Sequence, residues 1–200
     1  MHWKKYVAEV LGTGVLTLAV LASLAYNLSI ATPFIAGLTL ALFVYAIGPV
    51  SGAHINPAVT AGLWSIGKIG SAEAVKYIIA QIVGALAAMV AFESLLGPLP
   101  TVNAASATLT LVAEAAGAFL LLFGICAVVY EKARAGASGL VIGGFLLLGI
   151  LIATPGSNGV LNPAVAIGIG SYTWAYIVGP VLGAAAACWL YRWLVTEHVG

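Results

Sequence analysis

The sequence predicts an all-α membrane protein with six transmembrane helices and two half-helices that re-enter the membrane, arranged as an inverted repeat of three plus three helices. Three observations predict this fold. Of the 200 residues, 62% are hydrophobic and only 6% are charged, a composition typical of membrane proteins. The stretch 51–60 has an echo at 157–166 with the same Asn-Pro-Ala-Val core. All seven basic residues fall where alternating helices would place them on one side.

Apolar runs define the six helices, since a helix needs about 20 such residues to cross a bilayer. In chain order we expect them over residues 4–26, 33–47, 72–95, 108–130, 137–153 and 173–195. Glu9 interrupts the first apolar run, so we expect a retained helix rather than a cleaved signal peptide. We expect Gly48-Pro49 to end the second helix.

The two halves of the chain repeat within one predicted domain, 1–200, with repeat one over about 1–100 and repeat two over about 101–200. Matching positions carry the same residue type: Glu9 with Glu114, Gly12 with Gly117, and Gly37 with Gly143. Because each half has three spans, the second half enters the membrane from the opposite side. In such inverted repeats the functional site is expected at the midplane, where half-helices begin.

Each Asn-Pro pair is expected to begin a half-helix. Asn56 and Asn162 suit the N-cap, since the side-chain oxygen can accept from a free backbone N–H of the first turn. Proline suits the next position, where its missing N–H costs nothing. The helical run after each proline spans only about 12 Å, well under a bilayer. Its non-helical lead-in must therefore be buried in protein or line a water-filled cavity.

The basic residues predict the orientation. With a cytoplasmic N-terminus, the inside segments and adjoining helix ends hold Lys4, Lys5, Lys68, Lys76, Lys132, Arg134 and Arg192. The outer links hold none, as the positive-inside rule requires. We expect an integral multi-pass protein of the cell (plasma or inner) membrane with both termini cytoplasmic. The first half-helix then dips from the cytoplasm and the second from outside.

Two Asn-Pro-Ala boxes on re-entrant segments inside an inverted repeat resemble the aquaporin (major intrinsic protein) family, and the wording Ser-Gly-Ala-His-Ile-Asn-Pro-Ala-Val-Thr at 51–60 is especially close. The resemblance implies a passive transmembrane channel for water and small uncharged solutes, forming a homotetramer in membrane lipid with one pore per subunit. We expect no cofactor, no metal and no nucleic-acid partner, because the chain has no metal-ligand spacing and no basic run. The pore centre would comprise Asn56, Pro57, Ala58, Asn162, Pro163 and Ala164.

Two features would let neutral solutes pass that centre and oppose ions. The half-helix N-termini meet with their positive dipole ends, each worth about +0.5 charge, while the asparagine amides donate to a passing oxygen. Backbone carbonyls on either side are expected to form a ladder of acceptors. They belong to Gly52, Ala53, His54, Asn158, Gly159 and Val160.

The chain departs from the family at the outer filter. In water-selective relatives an arginine follows the second box and forms a narrow filter with an aromatic residue and a histidine; here Val165 follows it. Counting back from the boxes assigns the other filter positions to Ala36, Ile150 and Gly159. This filter is wide and uncharged, which predicts passage of glycerol, urea, ammonia, or undissociated metalloid and organoarsenical acids.

Glu9 and Glu114 are intramembrane carboxylates, which are costly unless paired. They suit either a proton relay or bracing of the re-entrant loops, and their symmetric placement favours bracing. His54 suits either a pH gate or a structural role with Glu9 as its partner, and we favour the structural role.

Other classes of protein fit less well. The chain contains no aspartate, no Ser/His pairing within helices and no metal-ligand spacing, so we expect no enzymatic activity. Discontinuous helices also suit a coupled secondary transporter of a small solute. Saturable, ion-dependent uptake would distinguish that alternative from a channel.

Overall fold

A computed structural model describes residues 3–26, 28–102, 105–134, 136–171 and 173–196. Within these ranges the chain is helical and contains no strand. The helices are α1 (Lys4–Tyr26), α2 (Thr32–Ser51), α3 (Pro57–Ser65), α4 (Ser71–Leu95), α5 (Ala107–Val129), α6 (Ser138–Ala153), α7 (Pro163–Gly168) and α8 (Ala175–Val195). The fold class predicted from the sequence is confirmed.

Helix length separates the spans from the half-helices. Within the described ranges, five helices are long and apolar enough to cross a membrane, namely α1, α2, α4, α5 and α8. The sixth, α6, is a mainly apolar helix of 16 residues, about 24 Å long. The half-helices α3 and α7 have nine and six residues, so each reaches only part of the way through a bilayer.

Helix α2 is longer than predicted. We expected Gly48-Pro49 to end it, but the helix continues to Ser51. A proline inside a helix removes its own N–H bond and crowds the carbonyl four residues earlier, which can kink the helix without ending it. The helix stops at Gly52, which adopts a left-handed conformation with φ +85° and donates its N–H to the Gly48 carbonyl at 2.8 Å.

The two repeats pack in matching ways and interlock. Helix α1 packs on α4 as α5 packs on α8, and α2 crosses α6 where Gly37 meets Gly143. A Cβ on Gly37 would lie 2.8 Å from the Gly143 carbonyl oxygen, so only glycine permits this approach. Each half-helix packs on a helix of the other repeat, α3 on α8 and α7 on α4. This exchange brings the first residues of the two half-helices together.

Candidate functional site

The two asparagines cap the half-helices. Asn56 Oδ1 accepts from the backbone N–H of Ala58 at 2.8 Å. Asn162 Oδ1 accepts from the N–H groups of Ala164 and Val165, at 3.1 and 3.3 Å. Both caps lie in extended backbone, and a proline occupies the first helical position of each half-helix.

Each asparagine also bonds to the opposite repeat. Asn56 Nδ2 donates to the carbonyl of Leu161, and Asn162 Nδ2 donates to the carbonyl of Ile55, both at 2.9 Å. An amide nitrogen carries two hydrogens, so, among the described residues, one N–H of each asparagine is used and one is left. From the sequence we expected each asparagine amide to donate to a passing oxygen. In the structure half of its donor capacity joins the two loops.

The loops before the caps have an unusual backbone. Ile55 and Leu161 have φ angles of +40° and +55°, a region that costs a branched residue about 1–2 kcal/mol. Two matching carboxylates hold them. The N–H of Ile55 donates to Glu9 at 2.6 Å, and the N–H of Leu161 donates to Glu114 at 2.6 Å. Such conformations persist only where the surroundings enforce them.

Glu9 accepts further bonds from its own loop. The Ser51 hydroxyl donates to it at 2.7 Å and the His54 N–H at 3.0 Å, while Gln81 Nε2 on α4 donates at 2.8 Å. The side chain of Glu9 is fully buried. These donors occupy the lone pairs of the carboxylate, as burial of a charged group requires.

Glu114 repeats this arrangement. It accepts from the Ser157 hydroxyl at 2.7 Å and from the Val160 N–H at 2.9 Å, in addition to Leu161. It too is fully buried. Both carboxylates therefore lie beneath a re-entrant loop with their oxygens turned toward its N–H groups.

The histidine ring has a different partner from the one expected. We expected Glu9 to pair with it, but only the backbone N–H of His54 reaches that carboxylate. The ring Nδ1 instead lies 3.0 Å from the Thr60 hydroxyl on α3, and Gln81 Nε2 also donates to that hydroxyl at 3.0 Å. The second repeat has Val160, Ala166 and Pro180 at the matching positions, so this polar network exists in the first repeat alone.

A cavity of about 680 Å³ runs past the asparagine pair. Asn56 and Asn162 line it, and so do all four residues of the predicted outer filter, Ala36, Ile150, Gly159 and Val165. Within the described part of the chain, the cavity lining includes no Lys, Arg, Asp or Glu. The wall is therefore mostly aliphatic, with polar groups from the two loops.

The six loop carbonyls singled out in the sequence belong to residues that line the same cavity. Among the described residues, none of those six oxygens accepts a hydrogen bond from protein. The N–H groups of Ala53 and Gly159 donate to the Ser51 and Ser157 hydroxyls, at 3.1 and 2.9 Å. Backbone carbonyls need a hydrogen-bond partner, which water or a polar solute in the cavity can supply.

Two filter residues are direct neighbours. A Cβ added to Gly159 would lie 2.9 Å from the carbonyl oxygen of Ile150 and 3.0 Å from its Cγ2. Gly159 has φ +61°, a conformation that glycine adopts without cost. The structure thus brings these two residues together, one from α6 and one from the second loop.

The family model described as Major intrinsic protein matches residues 1–191. The chain belongs to the major intrinsic protein family. It is a passive channel for water and small solutes.

Individual relatives agree with this membership. The chain is 40% identical over 184 residues to a probable aquaporin AqpM of Archaeoglobus fulgidus, covering 80% of this chain and 74% of the relative. It is 36% identical over 208 residues to aquaporin NIP1-3 of Oryza sativa subsp. japonica, covering 94% and 73%. The fold is similar to an X-ray structure of the aquaglyceroporin from Plasmodium falciparum, with TM-score 0.80, 23% identity and 96% of both chains covered.

Sequence reasoning missed several residues that support the site in this major intrinsic protein. Ser51 and Ser157 stand five residues before each asparagine, and that shared position was the available signal. Tyr176 accepts from the Asn158 side-chain amide at 2.6 Å. Gln81 lies on α4 and reaches the site only through packing, so no local pattern indicates it.

Side chains that could bind a metal ion are not clustered in the part of the chain that the structure describes. Among the described residues, no group of three or more His, Cys, Asp or Glu side chains is placed to hold a metal ion. Cys126 and Cys188 are both fully buried, with their sulfur atoms 3.6 Å apart between α5 and α8.

Proposed function

We propose that this channel admits neutral solutes larger than water, such as glycerol, urea, ammonia, or undissociated metalloid and organoarsenical acids. The observation that carries the proposal is the uncharged outer filter of Ala36, Ile150, Gly159 and Val165, all of which line one cavity. An arginine at position 165 would add bulk and a fork of five donors. Valine offers neither, so a neutral solute meets little steric or electrostatic resistance there.

The remaining pore groups suit a solute that both donates and accepts hydrogen bonds. The loop carbonyls that accept no bond from the described residues can accept from it, and the N–H that those residues leave unused on Asn56 and on Asn162 can donate to it. Hydroxyl and amide solutes can exchange their hydration for these groups. A charged solute finds no opposite charge on the described lining, so its desolvation is not offset.

The test is stopped-flow light scattering of proteoliposomes exposed to gradients of water, glycerol, urea and boric acid. The wild-type channel should pass water and at least glycerol. Val165→Arg should lower glycerol permeability by about tenfold or more while water still passes, because the filter then discriminates by size and by its donors. Permeation of water alone by the wild type would contradict the proposal.

A matched variant separates bulk from charge. Val165→Leu adds bulk without charge, so it should reduce glycerol permeability less than Val165→Arg. Each variant should first elute from size exclusion like the wild type. Equal glycerol permeability in Val165→Arg and wild type would show that position 165 is not part of the filter.

Charge exclusion in the proposed pore depends on its centre, because no fixed positive charge stands at the outer filter. The two half-helix N-termini and the asparagine amides supply the positive potential there. The rate at which a pH gradient across the proteoliposome membrane collapses measures the proton flux through the channel. Proton flux no greater than in protein-free liposomes would show that these dipoles suffice.

The assembly and orientation belong to the proposal as well. We expect a homotetramer in the plasma or inner membrane, with both termini cytoplasmic and with no enzymatic activity. Basic side chains contact residues at the ends of neighbouring helices. Lys5 Nζ lies 2.8 Å from Glu73 Oε1, and Lys68 Nζ lies 4.4 Å from the ring centre of Tyr130. This clustering of positive charge at one end supports the cytoplasmic assignment. Native mass spectrometry tests the tetramer, and reporter fusions at each terminus test the orientation.

A further inference from the structure

The inverted repeat generates a second set of four residues that matches the outer filter. The two asparagines are 106 residues apart in the chain. Shifting each outer-filter residue by the same 106 residues gives its equivalent in the other repeat. Those positions form what we name the mirror ring: Val44, Ala53, Val59 and Ile142. All four line the same cavity as the outer filter. They lie across the asparagine pair from it, because the repeat is inverted about that pair.

A contact between two residues that are themselves 106 positions apart supports this equivalence between the outer filter and the mirror ring. Gly37 and Gly143 meet where α2 crosses α6, and Ala36 and Ile142 precede them by one residue each. Side chains on a helix lean toward its N-terminus, so these two residues point away from the crossing in opposite directions. One therefore belongs to the outer filter and the other to the mirror ring.

The two rings differ in bulk. The mirror ring has Ile142 where the outer filter has Ala36, and both have a valine in the half-helix. At the other wall position it has Val44 where the outer filter has Ile150, which differs by only one carbon. The net difference lies at residue 142, where an isoleucine side chain replaces a methyl group.

The loop position adds to the difference. Gly159 contributes no side chain to the outer filter, whereas Ala53 contributes a methyl group to the mirror ring with the same left-handed backbone, at φ +50° against +61°. A methyl at 159 would press on Ile150 and on Thr154. The first repeat has the smaller Val44 and Gly48 at the corresponding positions, so there the wall has room for the methyl of Ala53.

We propose that the mirror ring, rather than the outer filter, sets the largest solute that this channel passes, with Ile142 as the residue that determines the limit. The inference rests on the proposed function, since it takes the outer filter to be wide. In water-selective relatives size is set at the outer filter. Here the outer filter has lost its bulk, and the same symmetry axis places the remaining bulk on the other side of the pore centre.

The experiment measures permeability to polyols of increasing size in proteoliposomes: glycerol, erythritol and xylitol. Ile142→Ala opens the mirror ring, and Ile150→Ala makes the same change in the outer filter on the same helix. Ile152→Ala is the matched control, because that isoleucine of α6 is 53% exposed on the outside of the bundle and does not line the cavity. We expect Ile142→Ala to raise the ratio of erythritol to glycerol permeability by about fivefold or more, and Ile150→Ala to change it by less than about twofold.

Three other outcomes of this experiment are also informative. A fivefold rise with Ile150→Ala and none with Ile142→Ala would overturn the inference while leaving the proposed function intact. If size exclusion shows that Ile142→Ala does not fold, Val44→Ala makes a smaller opening in the same ring. It should still raise the ratio of erythritol to glycerol permeability more than Ile150→Ala does. A wild type that passes only water would contradict the proposed function but not the inference. In that case the inference requires that Ile142→Ala admits glycerol and that Ile150→Ala does not.

Discussion

Asn56 donates a 2.9 Å hydrogen bond to the carbonyl of Leu161, a residue 105 positions later in the chain. Its counterpart Asn162 returns the same bond to Ile55. Each asparagine therefore does two things: its oxygen caps its own half-helix, and its nitrogen ties that half-helix to the loop of the other repeat. The two half-helices therefore meet through a closed pair of such bonds rather than as two independent caps.

The two roles of Asn56 can be separated by substitution. Asn56→Ser keeps a side-chain oxygen for the cap but loses the donor to Leu161, whereas Asn56→Ala loses both. Because a cap is worth about 1 kcal/mol, Asn56→Ala should be less stable than Asn56→Ser by about that amount. Thermal unfolding in detergent measures the difference. Identical midpoints for the two variants would mean that the cap contributes nothing here.

The buried carboxylates should matter for stability more than for solute contact, since neither lines the cavity. Glu114→Ala leaves the N–H groups of Val160 and Leu161 without their acceptor, and each buried unpaired donor costs about 1–3 kcal/mol. We expect a large fall in the unfolding midpoint together with reduced permeability, because the loop then moves. Glu93→Ala is a control, since Glu93 is exposed on α4. A Glu114→Ala protein as stable as that control would argue against the bracing role.

Glycines at helix crossings should tolerate no side chain. A Cβ on Gly183 would overlap the carbonyl oxygen of Ala115, so Gly183→Ala should force α5 and α8 apart at a cost of about 1–3 kcal/mol. Gly144 on α6 has open space around its Cα and is exposed. Gly144→Ala should therefore be neutral or stabilising by up to about 1 kcal/mol. Comparing the two unfolding midpoints checks both expectations, and equal effects would show that the α5–α8 packing is not tight.

The ion pair between Lys5 and Glu73 should contribute little. Its atoms lie 2.8 Å apart, but both side chains are about a quarter exposed, at 26% and 27%. Partly exposed pairs of this kind are usually worth less than about 1 kcal/mol. Glu73→Gln should leave the unfolding midpoint and water permeability close to wild type, and raised salt should shift both proteins alike. A large destabilisation would indicate that the Tyr6 hydroxyl, which also donates to Glu73, depends on the charge.

Local pattern was sufficient to predict most of this molecule. Apolar length predicts the spans, the Asn-Pro pairs predict both half-helices, and the spacing of the boxes predicts the repeat, because each signal lies within a few residues or a single span. The end of α2 was predicted too early. Pro49 indicated a helix end at Gly48, but the helix continues until Gly52, whose left-handed backbone ends it.

The tertiary structure alone decided how these pieces meet. The sequence indicates that Asn56 can donate, but only the packing of α3 on α8 and of α7 on α4 determines that Leu161 accepts. It likewise pairs the His54 ring with Thr60 rather than with Glu9, and places Ile142 in the cavity wall. A hydrogen bond depends on positions to a fraction of an ångström, and for residues far apart in the chain those positions are set by every helix packed between them.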